Sequence, residues 1–294
     1  MNAHVSAVAT PPLRTAESLA PETLIPETLA PETLAPDSLA PAAHSPYLVA
    51  RLANQAPNLY GTVKFAIVAE EIRKLGARLG RPARVLDLGC STSISKHYLE
   101  FNGLEFEYCG VDYEAEFSPD IVMDVRELHL RRSQLPWEPD VILLLDVLEH
   151  LPGKAADIEA VMRACAQVIP AHGMVMVVIP QLYRLDRLKL SHLHYPEHQV
   201  RFTLGEWRAI IARAIDVAEV RGVGYLSCLP YLPMLSPWYR EDNGHGRLFQ
   251  TLRGKVFEWG PLKPLECWLS RALGRLPGLK GWCNSSLLIC RRPR

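Results

Sequence analysis

The chain has 294 residues, 48% of them apolar, and its 32 lysines and arginines are matched by 32 aspartates and glutamates. That length exceeds an ordinary domain of about 100–200 residues, so one α/β domain with additions suits it better than two large domains. The zero formal charge disfavours a general nucleic-acid binder, which needs surplus positive charge.

The zero is a sum over unlike parts. Residues 1–50 hold Arg14 against Glu17, Glu22, Glu27, Glu32 and Asp37, a net of −4; residues 240–294 hold eleven basic against four acidic side chains, a net of +7; the middle carries −3. No run approaches the roughly 20 apolar residues that span a bilayer, and no basic n-region precedes an apolar stretch at the N-terminus. The seven cysteines form no C-x-x-C pair and sit in apolar runs as buried small hydrophobes do, which points to a reducing compartment. The expectation is a cytoplasmic protein, soluble or peripheral to the membrane.

Residues 21–41 repeat a five-residue unit, from Pro21-Glu22-Thr23-Leu24-Ile25 to Pro36-Asp37-Ser38-Leu39-Ala40, closed by Pro41. Proline at every fifth position forbids a continuous helix and removes ladder donors from a sheet. Residues 1–45 are therefore expected to be a disordered tail, a spacer or docking segment if it has a role, and residues 46–294 the folded domain.

Helical spacing of Phe65, Val68, Ala69, Ile72, Leu75 and Leu79 predicts a helix over 62–79, ended by Gly80, Arg81 and Pro82. A strand follows at 83–88, a helix at 93–101, strands at 105–112 and 120–123, and an unbroken apolar strand at 141–145 suited to a central parallel position. A helix at 155–169, a buried strand at 173–179, a helix at 203–213 and strands near 217–226 and 284–290 complete the series. Strands alternating with helices imply an α/β fold, a mostly parallel sheet covered on both faces.

Such sheets bind ligands beyond the carboxyl ends of their strands, and four of those ends are polar. They read Asp87-Leu88-Gly89-Cys90-Ser91-Thr92-Ser93, Gly110-Val111-Asp112, Asp124-Val125 and Asp146-Val147-Leu148-Glu149-His150-Leu151-Pro152. In this ordered combination the sequence, over about residues 60–226, resembles the class I S-adenosylmethionine-dependent methyltransferases, in particular the group with D-V-L-E-H-L-P after strand four. The resemblance implies a Rossmann-like sheet of seven strands and S-adenosylmethionine as cofactor. It implies cofactor-binding roles for Asp87, Gly89, Cys90, Ser91, Asp112, Asp124, Val125 and Asp146.

Gly89 gives backbone N–H groups access to the ligand. In the family's D-x-G-x-G-x-G turn the next glycines fall at Ser91 and Ser93, a departure in which either hydroxyl is a candidate N-cap for the following helix. A nicotinamide-binding G-x-G-x-x-G is missing, as is a phosphate-cradling G-x-x-x-x-G-K-[ST]. Asp112 is placed to accept both hydrogen bonds of a ribose diol. Asp124 is placed either to accept from the adenine amine or to cap Val125-Arg126-Glu127. Asp87 is expected to orient the turn or the cofactor's amino group.

His150 and His198 are the candidate general bases for the acceptor, with a structural role as the alternative for each. Glu149 reads as a structural partner, ion-paired or capping the helix near Gly153. The H-x-H of His192 and His194 invites a metal, but no C-x-x-C or carboxylate set accompanies it, so no metal is expected. The resemblance instead makes His198 and Arg201 acceptor-side residues, with Phe202 and Thr203 leading into the next helix.

The family joins its last two strands by a short connection, whereas residues 229–282 intervene here with Trp238, Trp259, Trp268 and Trp282, several prolines and two amphipathic helices at about 246–258 and 264–275. This insertion reads as a lid, a contact with an anionic membrane or lipid-linked acceptor, or a helical pair packed on the sheet edge. The implied function is methyl transfer to an oxygen, nitrogen or carbon of a small or lipid-linked acceptor. The alternative is a non-catalytic cofactor-binding or interaction module with the same fold.

Overall fold

The computed structural model describes residues 59–181, 198–258 and 261–293; the repeat tail, His192, His194 and Trp259 lie outside them. Helix α1 (Leu59–Leu79) leads into β1 (Ala83–Leu88), α2 (Ile94–Phe101), β2 (Phe106–Asp112) and the two-residue β3 (Ile121–Val122). Then come β4 (Val141–Leu145), α3 (Lys154–Val168), β5 (Met174–Pro180), α4 (Leu204–Ile211) and β6 (Asp216–Val223). Helices α5 (Gly244–Glu258) and α6 (Leu262–Leu273) precede β7 (Ser285–Arg291).

The seven strands form one sheet in the order β3-β2-β1-β4-β5-β7-β6. β1 pairs in parallel with β2 and β4, β4 with β5 and β2 with β3, while β7 runs antiparallel between β5 and β6. The apolar runs of β4 and β5 are buried on both faces, as central parallel strands require. One hydrophobic core joins the sheet to α3 and α4 and a second joins it to α1, α2 and α6. The sheet order reverses direction at β1 and β4, and a crevice beyond their carboxyl ends follows from that reversal.

The segment between β6 and β7 starts and ends at this carboxyl edge, because β6 runs in the same direction as β5 and β7 returns from it. The Asn284 N–H donates to the Gly224 carbonyl at 2.7 Å and the Gln181 N–H to the Asn284 carbonyl at 2.7 Å, so the two roots are tied to each other and to the end of β5. Two helices occupy the segment, close to the expected spans, and the Leu229–Leu235 stretch winds into a 3-10 turn that its two prolines concealed from a periodicity reading. All seven cysteines are buried free thiols. Among the described residues no helix is long and apolar enough to cross a membrane.

Candidate active site

The turn after β1 is held by backbone. The Gly89 and Cys90 N–H groups both donate to the Val111 carbonyl, at 2.8 and 3.1 Å. Gly89 has φ +73°, and a Cβ there would lie 2.7 Å from a Val147 methyl, so both backbone conformation and space require glycine. Ser91 (φ 49°) and Ser93 (φ 55°) also occupy the left-handed region. The family's glycines would sit there without strain; serine adopts the same path at a cost of about 1 kcal/mol each.

Neither hydroxyl caps α2, against the expectation. Ser93 stands at the N-cap position without a side-chain capping bond, because its left-handed backbone turns the side chain away. Its hydroxyl engages Tyr108 instead. Ser91 Oγ is buried without a hydrogen-bond partner among the described residues. The Cys90 thiol is also buried; its Sγ lies 3.6 Å from the Ser91 carbonyl and burial pushes its pKa far up.

Asp112 closes the turn from β2. Its carboxylate accepts the Ser91 N–H at 2.8 Å and the Glu114 N–H at 3.0 Å, one on each oxygen. A carboxylate offers about four acceptor positions, so capacity for a ligand diol remains. Asp87 lies beneath: Tyr108 donates its hydroxyl to it at 2.9 Å, and burial raises its carboxyl to about 6 against the pull of Tyr108, Ser95 and Lys64.

The sequence reading missed Lys64. It lies on α1, 8% exposed, and its ammonium pairs with Asp146 at 2.7 Å. The same Nζ lies 4.8 Å from the Phe65 ring centre and 5.1 Å from that of Tyr60. The Tyr60 hydroxyl in turn donates to Ser285 Oγ at 2.6 Å. Asp146 is left-handed (φ 59°), an uncommon state for a non-glycine residue, and the buried lysine holds its carboxylate. The available signal was a lysine within the apolar run Val63-Lys64-Phe65-Ala66-Ile67, in the half of the helix that is almost wholly buried.

At the end of β3 the capping alternative is realised. Asp124 accepts the Arg126 N–H at 2.9 Å as N-cap of a 3-10 turn and binds the Arg126 guanidinium, which holds its carboxyl below the usual range. Val125 is buried in the core beside it.

On the segment after β4, Leu148–His150 form a 3-10 turn that brings Glu149 and His150 to His198. The ligating atoms of these three residues all lie within 4.8 Å of one another. The two imidazoles meet edge to face with centres 5.0 Å apart, and His198 Nε2 is 3.9 Å from the buried Glu149 carboxylate. Burial first, then His150, draws His198 down to about 4, so it is neutral at pH 7. Glu149 does not cap α3: Asp157 accepts the Gly153 N–H there at 2.8 Å. The Glu149 carbonyl instead accepts the Val200 N–H at 3.0 Å, fixing the chain beside His198. Phe202 packs edge to face on Trp207, and Thr203 begins α4 through a capping box with Glu206.

A family model described as "Methyltransferase domain" matches residues 62–214, more than half of the chain. The chain belongs to this methyltransferase family. The methyltransferase is similar in structure to an S-adenosylmethionine-dependent methyltransferase from Archaeoglobus fulgidus, with 14% identity, 77% of this chain and 94% of that one covered, and a TM-score of 0.45. It is also similar to the plantazolicin methyltransferase BamL, crystallised with a triazolic desmethylPZN analogue and SAH, with 12% identity, 84% and 90% covered, and a TM-score of 0.45. No curated protein matches it in sequence.

The residues present suit S-adenosylmethionine, the cofactor that the sequence resemblance implies. A buried serine hydroxyl without a partner, a glycine turn with no room for a side chain, and a carboxylate with acceptor capacity left over adjoin one another at Ser91, Gly89 and Asp112. A ligand that both donates and accepts hydrogen bonds meets that set of groups.

Proposed function

We propose that the methyltransferase acts on a small or lipid-linked acceptor whose nucleophile is presented beside Glu149, His150 and His198. The cofactor supplies an electrophilic methyl group on a sulfonium. In this reading Asp112 holds the ribose diol, Asp124 and Val125 border the adenine, and Gly89, Cys90 and Ser91 line the amino-acid end. Asp87 and the Lys64–Asp146 pair set the charge around that end.

The observation that carries the acceptor assignment is the convergence of two imidazoles on a buried carboxylate next to the strand-four turn. A neutral imidazole can take a proton from an acceptor hydroxyl or amine as its bond to carbon forms, and a neighbouring carboxylate stabilises the imidazolium that results. Burial holds His198 proton-free at neutral pH, ready to accept a proton but weakly basic, and His150 stands against it as the alternative base.

The test is methylation of a panel of sugar, lipid-linked and small aromatic acceptors with labelled S-adenosylmethionine, in wild type, His150→Asn and His198→Asn. General-base loss lowers the rate constant by about 10²-fold or more, with cofactor affinity within twofold of wild type. Wild-type turnover in both variants would sink the assignment. The same spacing favours a second reading, two imidazoles and a carboxylate gripping a divalent transition-metal ion; activity lost on chelation and restored by Zn²⁺ or Mn²⁺ would select it.

A further inference from the structure

The segment from Pro261 to Trp282 has two unlike sides. Its inner side is fastened to the sheet. Glu266 accepts the N–H groups of Leu226 and Ser227 at 2.8 and 3.2 Å, Ser270 Oγ accepts that of Gly224 at 3.1 Å, and the Gly274 carbonyl accepts that of Gly222 at 2.8 Å. Helix α6 is thereby fixed against the carboxyl end of β6, the edge that carries the active site.

Its outer side is apolar. Leu265 and Trp268, one helical turn apart, are 45% and 60% exposed, and the loop that follows exposes Leu276, Leu279 and Trp282. Lys263 lies over the ring of Phe101, itself exposed, with Nζ 5.0 Å from the ring centre, which extends the apolar face onto the end of α2. Within residues 261–282 the exposed charges have one sign. Residues 261–282 hold Lys263, Arg271, Arg275 and Lys280 against a single acid, Glu266, which is 0% exposed. Among the described residues, neighbouring acids answer two of the four: Arg271 reaches Glu70 at 3.1 Å and Arg275 reaches Glu219 at 2.8 Å.

We propose that this face docks on an anionic lipid surface. Tryptophan and leucine beside lysine and arginine, with no exposed acid in residues 261–282, match the chemistry of a bilayer interface, where indole rings settle at headgroup depth and basic side chains meet anionic lipids. The core of a protein–protein interface is by contrast depleted of charge. The docking deepens the lipid-linked branch of the proposed function and rests on that reading for its purpose: a membrane-held acceptor would be delivered at the edge where α6 is rooted.

The experiment is flotation of the full chain, without cofactor or acceptor, on phosphatidylcholine vesicles with and without phosphatidylglycerol. Binding is expected only with the anionic lipid at low salt, and it weakens as salt screens the basic side chains. Replacing Leu265 and Trp268 together by serine should weaken it at least tenfold. Reversing Lys263 and Lys280 to glutamate should weaken it by about fivefold or more for each charge lost. A Leu276→Ser, Leu279→Ser pair on the loop serves if the helix variant does not fold, with folding judged by circular dichroism. No flotation of wild type on anionic vesicles at low salt overturns the proposal, as does undiminished flotation of folded variants. Calorimetry with S-adenosylmethionine, run in parallel on the same proteins, reads the methyltransferase site alone, so failure of either idea is separable from failure of the other.

Discussion

At the carboxyl ends of β1, β2 and β4 the acids are drawn inward and each is answered by the protein itself. Tyr108 donates to Asp87, two backbone N–H groups to Asp112, and Lys64 to Asp146. Along the outside of residues 261–282 the arrangement is reversed: the single acid is buried against backbone N–H groups, while tryptophan, leucine and basic side chains face out. The first region is shaped for a small polar ligand by backbone turns that tolerate few residue types. The second keeps its polar groups for its own anchorage and leaves its outer side chains for something else. The strand-end region is thus preorganised by buried hydrogen bonds, whereas the outer face of residues 261–282 is defined by its surface composition.

The strongest way to break the donor region is at Lys64. Lys64→Met strands a carboxylate on a left-handed residue, so a loss of about 3–5 kcal/mol is expected in denaturant unfolding. Asp146→Asn in the same background should recover part of it, and strict additivity of the two changes would contradict the pairing. Next comes Asp112→Ala, which removes the clasp on the Ser91 turn as well as the proposed ribose acceptor. About 3 kcal/mol, or a hundredfold in S-adenosylmethionine affinity by calorimetry, should be lost; an unaltered affinity would remove Asp112 from the site.

The comparison is sharpened from the other side by Glu266→Ala. It should cost about 2 kcal/mol, since two backbone donors lose a buried acceptor, and the added hydrogen exchange should concentrate in residues 224–284 with cofactor affinity little changed.

A pH dependence follows from Asp87. With its carboxyl raised to about 6 by burial, the folded protein holds a proton that the unfolded chain releases near 4, so this group's contribution to stability falls as pH rises from about 4 to 6. In the proposed site a cofactor ammonium requires the ionised form. Affinity for S-adenosylmethionine should therefore fall below pH 6, approaching tenfold per pH unit, and Asp87→Asn should flatten that dependence. The smallest effect belongs to Ser91→Gly, expected to stabilise by no more than about 1 kcal/mol through relief of the left-handed strain, with the gain offset by the greater freedom of glycine in the unfolded chain. A melting temperature lowered by several degrees would show that the serine side chain supports the turn.

Much of the fold was legible because its signals are local. The apolar runs of β4 and β5 announce central strands, Gly80-Arg81-Pro82 ends α1, and Thr203 with Glu206 three residues later writes the start of α4 in its capping box. The polar strand ends were legible for the same reason, since each acid directly follows its own apolar run. What escaped was pairwise and distant. Lys64 and Asp146 are 82 positions apart, and nothing local distinguishes a helix lysine that reaches inward from one that reaches water. The engagement of Asp124 by Arg126 was open to a reading of Asp124-Val125-Arg126, but two candidate roles shared the same residues.

The sequence by itself determined the order of the strands and helices, the acidic strand ends and the membership that follows from them, because hydrophobic periodicity and turn chemistry act over a few residues. Tertiary structure alone decided that serines would take the left-handed backbone of the turn after β1, that a buried lysine would neutralise Asp146, and that Glu149, His150 and His198 would converge. It also decided that the terminal region's positive charge would stand outside among tryptophans while its acid turned inward. Those outcomes depend on which side chains folding brings within a few ångströms of one another, and burial then fixes their charge.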